Sequence, residues 1–145
     1  MPAFPLPLPE VALSAIYLIM ADAREAGRTF MTMWFAKAAR KALIDDKELC
    51  EAIAEVKLGQ ADDLGGGVFK KRLDRNRRRS IIVAKGRRYW VYAYLFAKKD
   101  RANIDEDELR AFRKLAGLYA MKTDLEIETE LRSKVLVEIC NDRDA

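Results

Sequence analysis

The chain has no histidine, only two cysteines, and no proline beyond its ninth residue. Without histidine, a zinc site would have to be built from carboxylates, and Cys50 and Cys140 lie far apart with no Cys-x-x-Cys partner. Free thiols in a reducing cytoplasm are expected, with no metal and no cofactor. Long apolar runs are also scarce. The stretch 11–20 (VALSAIYLIM) is shorter than a membrane span, and the segment before it is proline-rich, carries Glu10 and has no basic residue. It fits neither a transmembrane helix nor a good signal peptide, so a cytoplasmic protein without a membrane partner is expected. Residues 1–28 are expected to form an extension ahead of a domain spanning 29–145, with Met31 or Met33 as a candidate native start and a short docking helix as the structural alternative. Internal repeats and low-complexity tracts are absent.

What is present suffices for one core: 145 residues, half of them hydrophobic, give no reason to propose a second domain. The net charge of +4 conceals a strong asymmetry. Residues 68–101 hold 13 Lys/Arg against Asp74 and Asp100, while the rest of the chain holds 14 against 21. A basic middle in an acidic frame suits a polyanion-binding face, although a solvated charged surface accounts for a single run of this kind equally simply.

Residues 29–33 (TFMTM) can form a short strand, and 34–43 has helical composition with Phe35, Ala38, Ala39 and Ala42 on one side. Asp45 and Glu48 match a capping box, after which Leu49, Ala52, Ile53 and Val56 form an apolar stripe. These helices are expected to make an antiparallel pair ending near Gly59. Residues 62–67 (DDLGGG) read as a turn. The runs 68–73, 80–84 and 88–96 are β-branched or aromatic, the last two flanking a hairpin at Lys85-Gly86, and the last, apolar on both faces, is the expected central strand. Asp105 and Glu108, with Ile104 opposite Leu109, open a third helix whose buried stripe is Leu109, Phe112, Ala116 and Tyr119. A helix over 124–131 and a terminal strand over 134–140 complete the order. The expected class is α+β: an N-terminal helical pair on a small, mostly antiparallel sheet, with a C-terminal helix and strand.

On the strand 68–73, Lys70 and Arg72 share one face, and Phe69 and Leu73 the other. Arg75, Arg77, Arg78 and Arg79 extend the charge through the next turn, and Lys98, Lys99 and Arg101 follow the central strand. In a meander, the strand end bearing Arg79 comes near the loop bearing Lys98. Such a cluster could stabilise the five-coordinate phosphorus formed when an RNA 2′-hydroxyl attacks its own backbone, and crowded lysines could move protons where histidine is absent. It serves simple nucleic-acid binding equally well, and charge pattern alone favours binding. Trp90, Tyr92 and Tyr94 belong to the core, though a tyrosine near the strand end could stack on a base. Asp105 and Glu108 have capping-box spacing rather than that of a catalytic pair, and Cys50 is expected to pack beside its helix stripe.

The run Gly65-Gly66-Gly67-Val68-Phe69-Lys70-Lys71-Arg72, the segment Arg79-Ser80-Ile81-Ile82-Val83, and Phe96-Ala97-Lys98-Lys99-Asp100-Arg101-Ala102-Asn103-Ile104 followed by DEDEL resemble the HigB/RelE-like branch of the RelE/ParE toxins. So do Trp34-Phe35-Ala36-Lys37 and Leu49-Cys50-Glu51-Ala52, and the likeness covers roughly residues 30–140. The resemblance implies a type II toxin that cleaves mRNA on the ribosome without a metal and is silenced by a cognate antitoxin, a helix-turn-helix protein encoded by an adjacent gene. Carried over by position, it implies Arg79 and Lys98 as catalytic residues and Lys70, Arg72, Arg75, Arg77 and Arg101 as RNA-binding residues. The segment 74–79 (DRNRRR) is shorter than the glycine-containing loop usual in relatives, and no tyrosine or histidine stands near 103–107. The alternatives left open are a ParE-like inhibitor of DNA gyrase and a degenerate member that only binds nucleic acid or its antitoxin.

Overall fold

The computed structural model describes residues 27–141; the expected extension lies, apart from Gly27 and Arg28, outside the described residues. Within them the chain is α+β, with four helices and a six-stranded mixed sheet. The elements run β1 (Arg28–Thr32), α1 (Met33–Lys41), α2 (Asp46–Lys57), β2 (Asp62–Gly65), β3 (Val68–Leu73), β4 (Arg78–Val83), β5 (Tyr89–Ala97), α3 (Glu106–Met121), α4 (Asp124–Arg132) and β6 (Leu136–Ile139). The sheet order is β2-β3-β4-β5-β1-β6. Only β1 and β5 pair in parallel; every other neighbouring pair is antiparallel. No helix among the described residues is long and apolar enough to cross a membrane.

Side-chain alternation along the strands divides the core in two. Phe35, Ala36 and Ala39 of α1 and Leu49, Ala52, Ile53 and Val56 of α2 bury with Trp90, Tyr92 and Leu95 of β5. Ala116 and Tyr119 of α3 and Ile127 of α4 bury with Val68, Ile81, Val83, Tyr89, Val91 and Phe96. Tyr92 anchors the first cluster: its ring stacks on Phe35 at 4.9 Å, and its buried hydroxyl donates to the Leu49 carbonyl at 2.6 Å. The stripe Leu109, Phe112, Ala116 and Tyr119 does meet the second cluster, with Leu109 and Phe112 only partly buried. Asp105 and Glu108 make a complete capping box at the start of α3.

Three local expectations need correction. Residues 62–65 are not turn but the edge strand β2, paired with β3, and the reversal is confined to Gly66 and Gly67. Aspartates and glycine disfavour strands on propensity alone, but pairing with β3 outweighs that preference. Both turn glycines have positive φ, and a Cβ on Gly67 would lie 3.0 Å from the Lys85 backbone. Glu48 does not close a capping box; Asp45 accepts from the Glu48 amide at 2.9 Å, while the Glu48 carboxylate accepts from the Asp74 amide. Finally, Cys50 and Cys140 are not free thiols but a disulfide, with Cα atoms 5.4 Å apart. Their separation of 90 positions in sequence hid a proximity created when β1 carries β6 to the end of the sheet below α2.

β1 starts at Arg28, one residue ahead of the expected boundary, and is tightly held. The Arg28 guanidinium donates to Glu138 at 2.8 and 2.9 Å and to Glu128 at 3.0 Å, and Phe30 is fully buried. A chain begun at Met31 would lose both. That truncation is expected to lose soluble protein or to lower the melting temperature sharply, since deleting one buried phenylalanine costs about 3–5 kcal/mol; a melting temperature equal to that of the full chain would show that the first half of β1 is dispensable. Reducing the disulfide, or replacing Cys50 by serine, should destabilise the domain by about 4–5 kcal/mol for a closed loop of this size. Denaturant unfolding with and without dithiothreitol, beside a thiol titration of the unreduced protein, measures this.

Candidate nucleic-acid interface

The alternation of β3 brings Lys70 and Arg72 to the α3 side of the sheet, after Val68, and sends Phe69 and Leu73 to the α2 side. Lys71 also faces α2, bonded to Glu55 and to the Gln60 carbonyl, both at 2.8 Å. Arg72 stands opposite Arg79 of β4, and Arg79 opposite Phe96 of β5. Cross-strand neighbours share a face, so Arg72, Arg79 and Phe96 form one row across three strands. Lys70 sits beside this row, 3.7 Å from Asp62 of β2.

A single irregularity brings aromatic side chains into the row. Ile81 pairs with Tyr94 and Ile82 with Tyr92, so Ala93 is an extra residue in the β4–β5 ladder. A bulge of this kind reverses the facing of all that follows. Trp90 and Tyr92 therefore bury beneath α1 and α2, whereas Tyr94 and Phe96 turn toward α3. The sequence could not show this, because YWVYAYLF is apolar in either phase.

Arg101 joins the same face from the β5–α3 loop. Its guanidinium lies 5.6 Å from the centre of the Phe96 ring and bonds both oxygens of Glu108, at 3.0 and 2.5 Å. Glu108, followed by Tyr94, holds the guanidinium strongly protonated, and Arg101 in turn is the main cause that the Glu108 carboxyl titrates below its usual range. Since Glu108 also caps α3, Arg101 is a strut between loop and helix, and much of its charge is already matched.

The remaining cations gather at the end of the sheet. The β3–β4 turn carries three consecutive non-glycine residues at positive φ, Asp74 (54°), Arg75 (52°) and Asn76 (71°). Each costs of order 1–3 kcal/mol of backbone strain. The turn is fixed by Glu48 on the Asp74 amide, by Arg77 on the Asp74 carboxylate at 2.7 Å, and by Arg79 Nη1 on the Asn76 carbonyl at 3.0 Å. Arg77, with Arg78 as a lesser cause, lowers the Asp74 carboxyl below its ordinary range; Arg78 Nε lies 3.4 Å away and is poorly aligned for a hydrogen bond. Beside this turn a cavity of about 760 Å³ is lined by Lys41, Leu43, Arg75, Arg77, Arg78, Lys98 and Lys99, with Asp74 as its one carboxylate. The Lys98 amide donates to the Arg77 carbonyl at 2.9 Å, continuing the ladder past β5.

The seven residues singled out in the sequence thus divide. Lys70, Arg72, Arg79 and Arg101 share the sheet face, while Arg75, Arg77 and Lys98 line the terminal cavity, which does not include Arg79. Among the described residues no carboxylate forms an ion pair with Arg72, Arg75, Arg79, Lys98 or Lys99. Cations left unmatched on one rim of the molecule attract a polyanion and can hold it in register. Sequence inspection missed Tyr94 and Phe96 as members of this face; their proximity to Arg101 is set only by the bulge.

A family model described as the RelE toxin of the RelE/RelB toxin–antitoxin system matches residues 27–139. Comparison with curated proteins and with solved structures finds no match.

The Arg101–Glu108 strut generates a pH prediction. A carboxyl depressed in the folded state stabilises fully above its unfolded value, about 4.3, and loses that contribution as pH falls through the lower folded value. Thermal stability should therefore decline below about pH 4.3 less steeply in Glu108→Gln than in the parent. Parallel slopes in melting experiments across that range would show that the pair contributes nothing to acid sensitivity.

Proposed function

The chain belongs to the RelE toxin family, and from that premise we propose that this toxin of a toxin–antitoxin pair is a ribosome-dependent, metal-independent endoribonuclease that stops translation by cutting mRNA. The observation that carries the proposal is the row Arg72–Arg79–Phe96 with Lys70 beside it, a cationic strand face without a compensating carboxylate on either arginine. In the proposed reaction the 2′-hydroxyl loses its proton and attacks the adjacent phosphorus, and the 5′-oxygen leaves with a proton. Arg79 and Arg72 stabilise the negative charge that develops on the phosphoryl oxygens. Arginine keeps its proton throughout, so it serves as an electrostatic group and not as a base. Lys70 and Tyr94 are the groups on this face able to exchange a proton, in a chain without histidine.

Lys98 supports a different assignment from Arg79. Its place in the terminal cavity with Arg75 and Arg77 fits a phosphate anchor that holds the RNA strand beside the reacting bond. The partner implied by the family is an antitoxin; we propose a helix-turn-helix protein from an adjacent gene that covers the unmatched cations, and mRNA in the ribosome as the substrate in the cytoplasm.

The test is cleavage of mRNA on purified ribosomes, run beside thermal unfolding. Arg79→Ala should lower the cleavage rate by about two orders of magnitude, the effect typical of removing one transition-state donor, far more than the loss of about 1 kcal/mol of stability from its hydrogen bond to the Asn76 carbonyl accounts for. Lys98→Ala should weaken RNA binding and slow cleavage most at low salt, with the deficit relative to the parent shrinking as salt rises, as expected for the loss of one phosphate contact. If Arg79→Ala cleaves as the parent does, the strand face is a binding surface only; growth arrest with intact mRNA and broken DNA would instead point to gyrase.

A further inference from the structure

Trp34, in the first turn of α1, is a large apolar side chain with 53% of its surface exposed. It does not project freely into solvent. Its indole stacks on Tyr94 with centroids 5.2 Å apart and planes inclined by 27°. Tyr94 in turn lies 5.8 Å from Phe96 and 6.0 Å from Phe112 of α3. One indole face is thus fixed against a supported aromatic stack, and the ring is held in a defined plane while much of its surface stays open to water.

The location distinguishes this ring from an ordinary exposed hydrophobic residue. From Arg72 the row passes through Arg79 to Phe96, about 10 Å for two strand spacings, and then through ring contacts of 5.8 Å to Tyr94 and 5.2 Å to Trp34. Arg101 flanks the row at the Phe96 ring. An immobilised aromatic surface beside unmatched cations is the arrangement that binds single-stranded nucleic acid: the cations take phosphates, and the ring takes an unpaired base without regard to its identity. We infer that Trp34 is a stacking platform for one unpaired nucleobase of the RNA strand whose phosphates lie along Arg72 and Arg79. Tyr94 is the positioning residue that holds the indole plane. This inference rests on the RNA-binding reading of the strand face and adds a base contact to its phosphate contacts.

The second tryptophan makes the test direct. Trp90 is only 1% exposed, so changes in emission caused by a stacked base come from Trp34. The full chain is titrated at low salt with a short single-stranded RNA of mixed sequence and, separately, with inorganic polyphosphate, which supplies the charge without bases. RNA should quench and shift Trp34 emission, and polyphosphate should bind without quenching. Trp34→Ala should bind RNA about tenfold more weakly with polyphosphate affinity unchanged and the fold retained at a modestly lower melting temperature, while Trp34→Phe, which keeps an aromatic ring, should remain near the parent. RNA binding with unaltered Trp34 emission, together with parental affinity in Trp34→Ala, overturns the platform and leaves the proposed cleavage standing. Absence of both RNA binding and cleavage in the parent overturns both, and quenching by an antitoxin alone reassigns the ring to a protein interface.

Discussion

The arrangement of the proposed site depends on one residue without a ladder partner. Ala93 is inserted into the β4–β5 pairing, and its presence lets β5 serve two layers with opposite phases. Before it, Trp90 and Tyr92 close the core under α1 and α2; after it, Tyr94 and Phe96 line the other face. Were Ala93 paired in a regular ladder, Tyr94 would face the same side as Tyr92, and Leu95 instead of Phe96 would stand opposite Arg79. An alanine suits the position, because an unpaired residue at a bulge must fit a bent backbone without driving a large side chain into either layer.

Around this strand, charge is divided between struts and unmatched sites. Arg28, Lys71 and Arg101 each hold elements together through carboxylates, Arg28 tying β1 to β6 and α4, Lys71 tying β3 to α2, and Arg101 tying the β5–α3 loop to the helix cap. Arg72, Arg79 and Lys98 have no such partner among the described residues. Exposed ion pairs stabilise little individually, so the struts act mainly by orienting chains. The unmatched cations, Arg72 and Arg79 on the sheet face and Lys98 in the terminal cavity, create a positive field that attracts polyanions.

The Cys50–Cys140 bridge joins α2 to the residue that follows β6, and β6 is an edge strand with β1 as its sheet neighbour. It therefore secures one of the two edges of the sheet. A bridge of this kind forms in oxidising surroundings and is reduced in an ordinary cytoplasm, where β6 would rely on Arg28 and on buried Leu136 and Ile139.

By itself the sequence determined the elements, the edge strand β2 excepted, and the cations of the site. Helix periodicity, the Asp105–Glu108 cap, the hairpin at Lys85-Gly86 and the alternation in VFKKRL are local signals, set by hydrogen bonds and side-chain spacing within a few residues. They survive in the folded chain with small shifts in boundary. The tertiary structure alone decided which cations act together: that Arg101 is spent on Glu108, that Lys98 lies in a cavity apart from Arg79, that Cys50 meets Cys140, and that Trp34 reaches Tyr94. Each of these depends on strand register and on one bulge, and register follows from the packing of two layers at once, to which an apolar run such as YWVYAYLF is indifferent in its own phase.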